Sequence, residues 1–158
     1  MKYPFFLYSA HNISPENLKE FFSRNGFLEI SNNHWGYKEG GIWVWNTDDI
    51  DDSFYYLAKG INLKRDYSHN DDIDIAVESM NETKKYCDEA MEIITRLGSI
   101  PKSTLLIEIK PEKLMLTLEI IKKFQKSWSP TILDNKLDEL SEECEIDVNE
   151  FKYPKKKA

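Results

Sequence analysis

Runs of apolar side chains along the chain predict four strands. The first covers Phe5 to Ala10, and Phe27-Leu28-Glu29-Ile30 begins the second. The third, Ile42-Trp43-Val44-Trp45, contains only β-branched and aromatic residues, the composition of a strand that is buried on both faces. Thr104 to Ile109 is the fourth. Three glycines lie within residues 32–41, so this segment is predicted to turn the second strand back into the third as a long or bulged hairpin loop.

Apolar positions at steps of three and four predict helices between these strands. Ser14 followed by Pro15 is a helix start signal, and Asn25-Gly26 is the matching stop signal. A short helix is predicted over residues 51–60. A long helix is predicted from Asp72 to Leu97, since its apolar residues share one face and Gly98 follows.

The C-terminal third repeats these signals. Pro111 is predicted to begin a helix that runs through Trp128, and Ser129-Pro130 predicts a further helix near residues 131–143. Apolar residues spaced through 146–151 predict a short final strand.

The order strand, helix, strand, strand, helix, strand predicts an α+β fold. We expect an antiparallel sheet of about four strands, with helices packed on one face and a C-terminal helical extension. This order is compatible with a ferredoxin-like split βαβ sheet, and another α+β layering of the same parts is the alternative. Residues 1–153 are predicted to form a single domain, and residues 154–158 a frayed basic tail.

The net charge of −7 comes from two acidic segments. Residues 46–78 contain nine acidic residues against three basic ones, and residues 134–150 contain eight against one, whereas residues 1–45 sum to zero. Phosphate binding requires positive charge, so these segments exclude nucleic acid as a direct partner. The three lysines of the tail, 155–157, are too few to change this conclusion. Acidic segments of this kind attract basic partners from a distance.

The chain is predicted to be cytoplasmic. No apolar run approaches the length of a membrane span, and the first residues lack the features of a signal peptide. Its two cysteines, Cys87 and Cys144, lie far apart in the sequence, which is typical of reduced thiols rather than of a disulfide framework.

No motif predicts a catalytic, metal or cofactor site. His11, His34 and His69 lack the clustered neighbours of a zinc site, and the aspartates of 48–52 lack the spacing of an EF-hand. The segment 69–74 combines a histidine with aspartates; it reads either as a metal-hydrolase site or, more simply, as a loop that enters a helix. Trp43 and Trp45 share one strand face, which is either part of the core or an interface.

In overall character the chain resembles the immunity proteins of bacterial polymorphic toxin systems, including those of contact-dependent growth inhibition. It shares their small size, single domain, aromatic-rich acidic composition and absence of catalytic motifs. The resemblance implies a protein that binds a cognate toxin domain, often a basic nuclease, and covers or distorts its active site. It rests on no diagnostic motif and therefore assigns no individual residue.

Charge gives a physical basis for the same function. A toxin that acts on nucleic acid presents positive charge to phosphate, and an inhibitor can present carboxylates in its place. We therefore predict that the partner-binding residues are Asp48, Asp49, Asp51, Asp52, Asp71, Asp72, Asp74, Glu142, Glu143, Glu145 and Asp147. Two alternatives remain open. One is a small carboxylate- or metal-dependent enzyme with a site where 48–52 and 69–74 converge, and the other is an acidic nucleic-acid mimic that regulates a host target.

Overall fold

The computed structural model describes residues 1–47, 85 and 88–154. The strands are β1 (Tyr3–Ser9), β2 (Phe27–Ser31), β3 (His34–Tyr37), β4 (Ile42–Thr47), β5 (Ser103–Ile109) and β6 (Thr131–Leu133). The helices of this part are α1 (Pro15–Arg24), α2 (helical residues 88–97), α3 (Leu114–Ser127), α4 (Asp138–Cys144) and α5 (Asn149–Lys152), with a 3-10 turn at Pro111–Lys113 before α3. The predicted helix over 51–60, the first part of the predicted long helix and the end of the tail lie outside the described residues.

The strands form one antiparallel sheet in the order β2-β3-β4-β5-β1-β6. The prediction of an α+β fold is confirmed, and the sheet has six strands rather than about four. The two additional strands are short. β3 lies within the segment that was predicted as a hairpin loop, so residues 27–47 form a three-stranded meander.

The order of the strands differs from that of a ferredoxin-like sheet. In a split βαβ sheet the third predicted strand, β4, would pair directly with the first, β1. Here β5 lies between them and pairs with both, Ile107 lying opposite Phe5 on one side and Val44 on the other. The fold is therefore the alternative layering of the same parts.

Helices cover both faces of the sheet. On one face the alternate residues of β1, β4 and β5 pack against α1 and α3 in the main core, which includes Phe5, Val44 and Phe124. On the other face Tyr8 of β1 and Ile132 of β6 pack with residues 90, 93 and 97 of α2. The prediction of helices on one face alone is thus wrong for α2. The reason is that β1 is apolar at successive positions, so the side chains on both of its faces must be buried by other elements.

Only one face of β4 is buried in the core. Ile42 and Val44 are almost inaccessible to solvent, whereas Trp43 and Trp45 on the opposite face are half-buried. The ammonium of Lys2 lies 4.0 Å from the centre of the Trp43 ring, and the Trp45 ring stacks on His34 at 4.3 Å. The predicted burial of this strand on both faces is therefore wrong, since both tryptophans remain partly exposed.

The predicted start and stop signals hold for α1 and α3, and the predicted stop signal holds for α2. The Ser14 side chain accepts a hydrogen bond from the backbone N–H of Asn17 at the start of α1, 3.1 Å away. α2 ends at residue 97, and Gly98 follows with φ of +88°, a conformation that glycine adopts without strain. α3 covers the helix that was predicted to follow Pro111.

The end of the chain differs from the prediction in two places. Residues 131–133 form β6 instead of the start of a helix, because they pair with β1 and are buried there. α4 begins later, at Asp138. The predicted final strand is wrong as well: residues 149–152 form α5, and Val148 and Phe151 contribute to the main core from this last turn of helix.

Candidate partner-binding surface

The C-terminal segment 138–150 presents several carboxylates to solvent. Six acidic side chains of α4, of the turn after it and of α5 are exposed. We call this set the acidic corner; it consists of Glu139, Glu142, Glu143, Glu145, Asp147 and Glu150. Six negative charges thus lie within twelve residues, all of them on exposed side chains.

Buried apolar residues fix the acidic corner to the core. Four apolar side chains of this segment are almost fully buried. Leu137 lies just before α4 and Leu140 within it, while Val148 lies just before α5 and Phe151 within it. Main-chain bonds close the turn between the two helices, since the N–H of Ile146 donates to Ser141 O at 2.9 Å. The carboxylates therefore project from a rigid base. Because the segment is already ordered, it loses little conformational entropy when a partner binds.

Local hydrogen bonds and a single ion pair order the ends of the acidic corner. Asp147 accepts a hydrogen bond from the N–H of Asn149 at 2.8 Å, in the manner of an Asx turn at the start of α5. Lys152 is buried and its ammonium lies 3.2 Å from Asp138, so this lysine neutralises a carboxylate outside the defined set. Within the described residues, no ion pair neutralises a member of the acidic corner.

The structure brings together four of the eleven predicted partner-binding residues. Glu142, Glu143, Glu145 and Asp147 all belong to the acidic corner, and Glu139 and Glu150 join them there. The sequence signal for these two residues was present, because both lie in the acidic segment 134–150. The other predicted residues, Asp48, Asp49, Asp51, Asp52, Asp71, Asp72 and Asp74, lie outside the described residues.

A cleft that the sequence did not reveal lies at the β6 end of the sheet, next to α2. It has a volume of about 290 Å³ and is lined by β1, α2 and the turn after β6. Arg96 of α2 is the central charged group, with only 6% of its side chain exposed. Its Nη1 donates to Leu133 O and Lys152 O at 3.1 and 3.0 Å, so the guanidinium joins α2 to β6 and to the C-terminal helix.

Asp134 is the second charged group of this cleft. Its carboxylate accepts hydrogen bonds from the backbone N–H groups of Phe6 and Lys136, at 3.2 and 3.1 Å. Burial raises the pKa of this carboxyl, and the two hydrogen bonds together with the charges of Lys136 and Arg96 oppose that shift only in part. Because main-chain groups occupy both carboxylate oxygens, Asp134 fixes the turn after β6 and has a structural role.

Two of the three histidines lie in the described residues, and each has a structural setting. His11 Nε2 lies 2.6 Å from Ser129 O. His34 stacks on Trp45, and burial lowers the pKa of its imidazole while Glu108 opposes that shift. Among the described residues no three His, Cys, Asp or Glu side chains are close enough to bind a metal ion. The enzyme site predicted from segments 48–52 and 69–74 falls outside these residues and stays a prediction.

Comparison of the chain with protein-family models, with curated proteins and with solved structures finds no match. Within the described part of the chain, none of the helices has the length and apolar character that crossing a bilayer requires.

Proposed function

We propose that this chain is an immunity-type protein that binds and neutralises a basic toxin domain, and that the acidic corner makes the contact. The observation that carries the proposal is the set of six exposed carboxylates on a base fixed by Leu140 and Phe151. Such a surface offers a cationic partner a rigid replacement for phosphate groups. We place this function in the cytoplasm, where the toxin would act.

The physical effect of the acidic corner is largest on the rate of association. Exposed charges of one sign steer an oppositely charged partner, and this steering weakens when salt shortens the Debye length to about 8 Å at physiological ionic strength. Rim charges change association more than dissociation. The proposal therefore makes a kinetic prediction that a simple role in solubility does not make.

The test uses the toxin domain encoded by the neighbouring gene, purified in an inactivated form. In the double variant Glu142→Lys and Glu143→Lys, the association rate at low salt should fall by about tenfold or more, since electrostatic steering contributes factors of this size. The difference should narrow as salt is added. Stopped-flow fluorescence measures the association rates of the wild-type protein and of the double variant at each salt concentration.

The matched control replaces two exposed glutamates elsewhere with lysine: Glu16 near the start of α1 and Glu112 in the 3-10 turn. This variant has the same net charge as the test variant, so a general effect of charge would slow both equally. The proposal expects the control to associate much faster than the test variant. Equal rates for the two variants, or unchanged rates for both at low salt, would overturn the assignment of the acidic corner.

A further inference from the structure

The two edges of the sheet differ in their exposure. β6 is one edge, and all three of its residues are buried beneath α2, α3 and α5. β2 is the other edge, and its last four residues are exposed. Two of them are large and apolar: Leu28 exposes 64% of its surface and Ile30 55%. An edge strand with exposed apolar side chains is a site for pairing with another chain.

The backbone of β2 has hydrogen-bonding groups available at this edge. The N–H of Lys38 donates to Gly26 O at 2.9 Å, so Gly26 and Lys38 are a hydrogen-bonded pair of the ladder between β2 and β3. Since bonded positions alternate in an antiparallel ladder, Leu28 bonds toward β3 while Phe27 and Glu29 direct their N–H and C=O groups outward. Among the described residues, no loop or turn bonds to these outward groups.

The exposed side chains of β2 continue onto the sheet as an apolar strip. Ile30 lies across β3 at Gly36, where a Cβ atom would come within 2.7 Å of the Ile30 Cδ1. Gly36 thus permits the side chain to reach toward Trp43, 3.8 Å from the same Cβ position. Together with Leu28 these side chains form the apolar strip that a paired strand would cover.

We propose that a second copy of this chain pairs with β2, edge to edge and antiparallel, to form a symmetric dimer. A two-fold axis at Leu28 would place Phe27 of each chain opposite the partner's Glu29, so the outward groups of both strands bond to each other. This register brings the two Leu28 side chains together and separates the two Glu29 carboxylates, since like charges directly opposite are destabilising.

Local charge favours a second copy over a basic partner at this edge. Residues 1–45, which include β2 and its neighbours α1 and β3, carry equal numbers of acidic and basic residues. Lys19 of α1 lies 3.2 Å from Glu29, so both signs of charge are present at this edge. An edge with both signs of charge complements itself, whereas a basic partner is attracted by the acidic corner instead.

The charge of the acidic corner does not oppose this dimer strongly. α5, which carries Glu150 of the acidic corner, packs beside β6, five strand spacings from β2. At about 4.8 Å per spacing this is about 24 Å within one chain. The distance between the acidic corners of two chains paired through β2 is more than twice as large, and both distances exceed a Debye length of about 8 Å. Repulsion between the two acidic ends is therefore screened.

The experiment is sedimentation velocity of the whole chain over a wide range of concentrations. The wild-type protein should change from a mass of 18.6 kDa to twice that mass as its concentration rises. Ile30→Lys should weaken the dimer by about tenfold or more, because a charged side chain in place of the apolar contact blunts the edge. Glu29→Pro removes an outward N–H group and should weaken it as well.

The control is Met91→Lys, which replaces an exposed apolar residue on α2, 49% accessible and on the β6 side of the fold. It introduces the same charge and should dimerise as the wild type does. Circular dichroism checks that each variant is folded. A wild-type protein that stays monomeric, or dimers of Ile30→Lys and Glu29→Pro as stable as the wild type, would overturn the proposal. Because neither substitution touches the acidic corner, the outcome is independent of toxin binding.

Discussion

The two ends of the sheet are stabilised by different kinds of contact. At the β2 end, rings from α1, β2 and β3 pack on one another: the Phe22 ring centre lies 5.2 Å from those of Phe27 and Trp35, and Phe27 lies 5.4 Å from Tyr37. At the β6 end, buried polar side chains bond to main-chain carbonyls. Gln125 Nε2 donates to Thr131 O and Phe151 O, both at 2.9 Å.

This difference shows how the same sheet can leave one edge open and close the other. Apolar packing on one face of β2 stabilises the strand without using its outward backbone groups, so the edge stays available. The polar bonds at the other end join segments that are distant in sequence, such as α3 and the residues before the C-terminus. They fix α5, and with it the acidic corner, in one position.

The largest effect is expected from a loss of volume at the β2 end. Phe22→Ala should lower the free energy of unfolding by about 3–5 kcal/mol, since it removes a buried ring and leaves a cavity. Phe22→Leu retains most of the apolar volume and should lower the free energy of unfolding by clearly less. Chemical denaturation measures both. Equal losses for the two variants would mean that ring volume does not account for the stability of this end.

The β2 end was also the part that the sequence predicted well. The Ser14-Pro15 start signal, the Asn25-Gly26 stop signal and the apolar run from Phe27 act locally, so their outcomes follow from neighbouring residues. β3 was missed because it has only four residues, and Gly36 in its middle is typical of a turn. The strand order could not be read from the sequence, because pairing between β4 and β5 joins residues about sixty positions apart.

The β6 end was predicted less well because its structure depends on contacts between distant segments. The helical spacing of Ile132, Leu133 and Leu137 is real, yet pairing with β1 makes the first two residues a strand. The Arg96 bonds to Leu133 O and Lys152 O have no sequence signal at all. The acidic corner was predicted in part, since clustered charge is visible in the sequence while its exposure and its anchoring are not.

A smaller effect is expected from the polar bonds at the β6 end. Gln125→Met keeps the size of the side chain and removes both hydrogen bonds, which leaves Thr131 O and Phe151 O with fewer donors. We expect a loss of about 1–2 kcal/mol from the two missing hydrogen bonds. Removal of Oε1, a buried atom without a hydrogen-bond partner, is favourable and keeps the loss this small. The adjacent exposed Lys126→Met is the control, with an expected change below about 0.5 kcal/mol. Similar losses of stability for Gln125→Met and Lys126→Met would show that the two hydrogen bonds of Gln125 do not stabilise this end of the sheet.

The smallest effect concerns the pH dependence of the same end. Burial raises the pKa of Asp134 above its ordinary value of 3.8, so the folded chain binds a proton more tightly than the unfolded chain does. The contribution of this carboxyl to stability is complete below the ordinary pKa and is lost as pH rises through the raised pKa. Asp134→Asn cannot titrate and lacks this dependence.

The measurement is the difference in unfolding free energy between the wild-type protein and Asp134→Asn, followed from acid to neutral pH. The stability of the wild type relative to the variant should decrease as pH rises above 3.8. The amide of the variant faces the N–H groups of Phe6 and Lys136, which adds a penalty that does not vary with pH and leaves the slope unchanged. Parallel pH profiles would show that the hydrogen bonds from these groups offset the burial of the carboxylate fully.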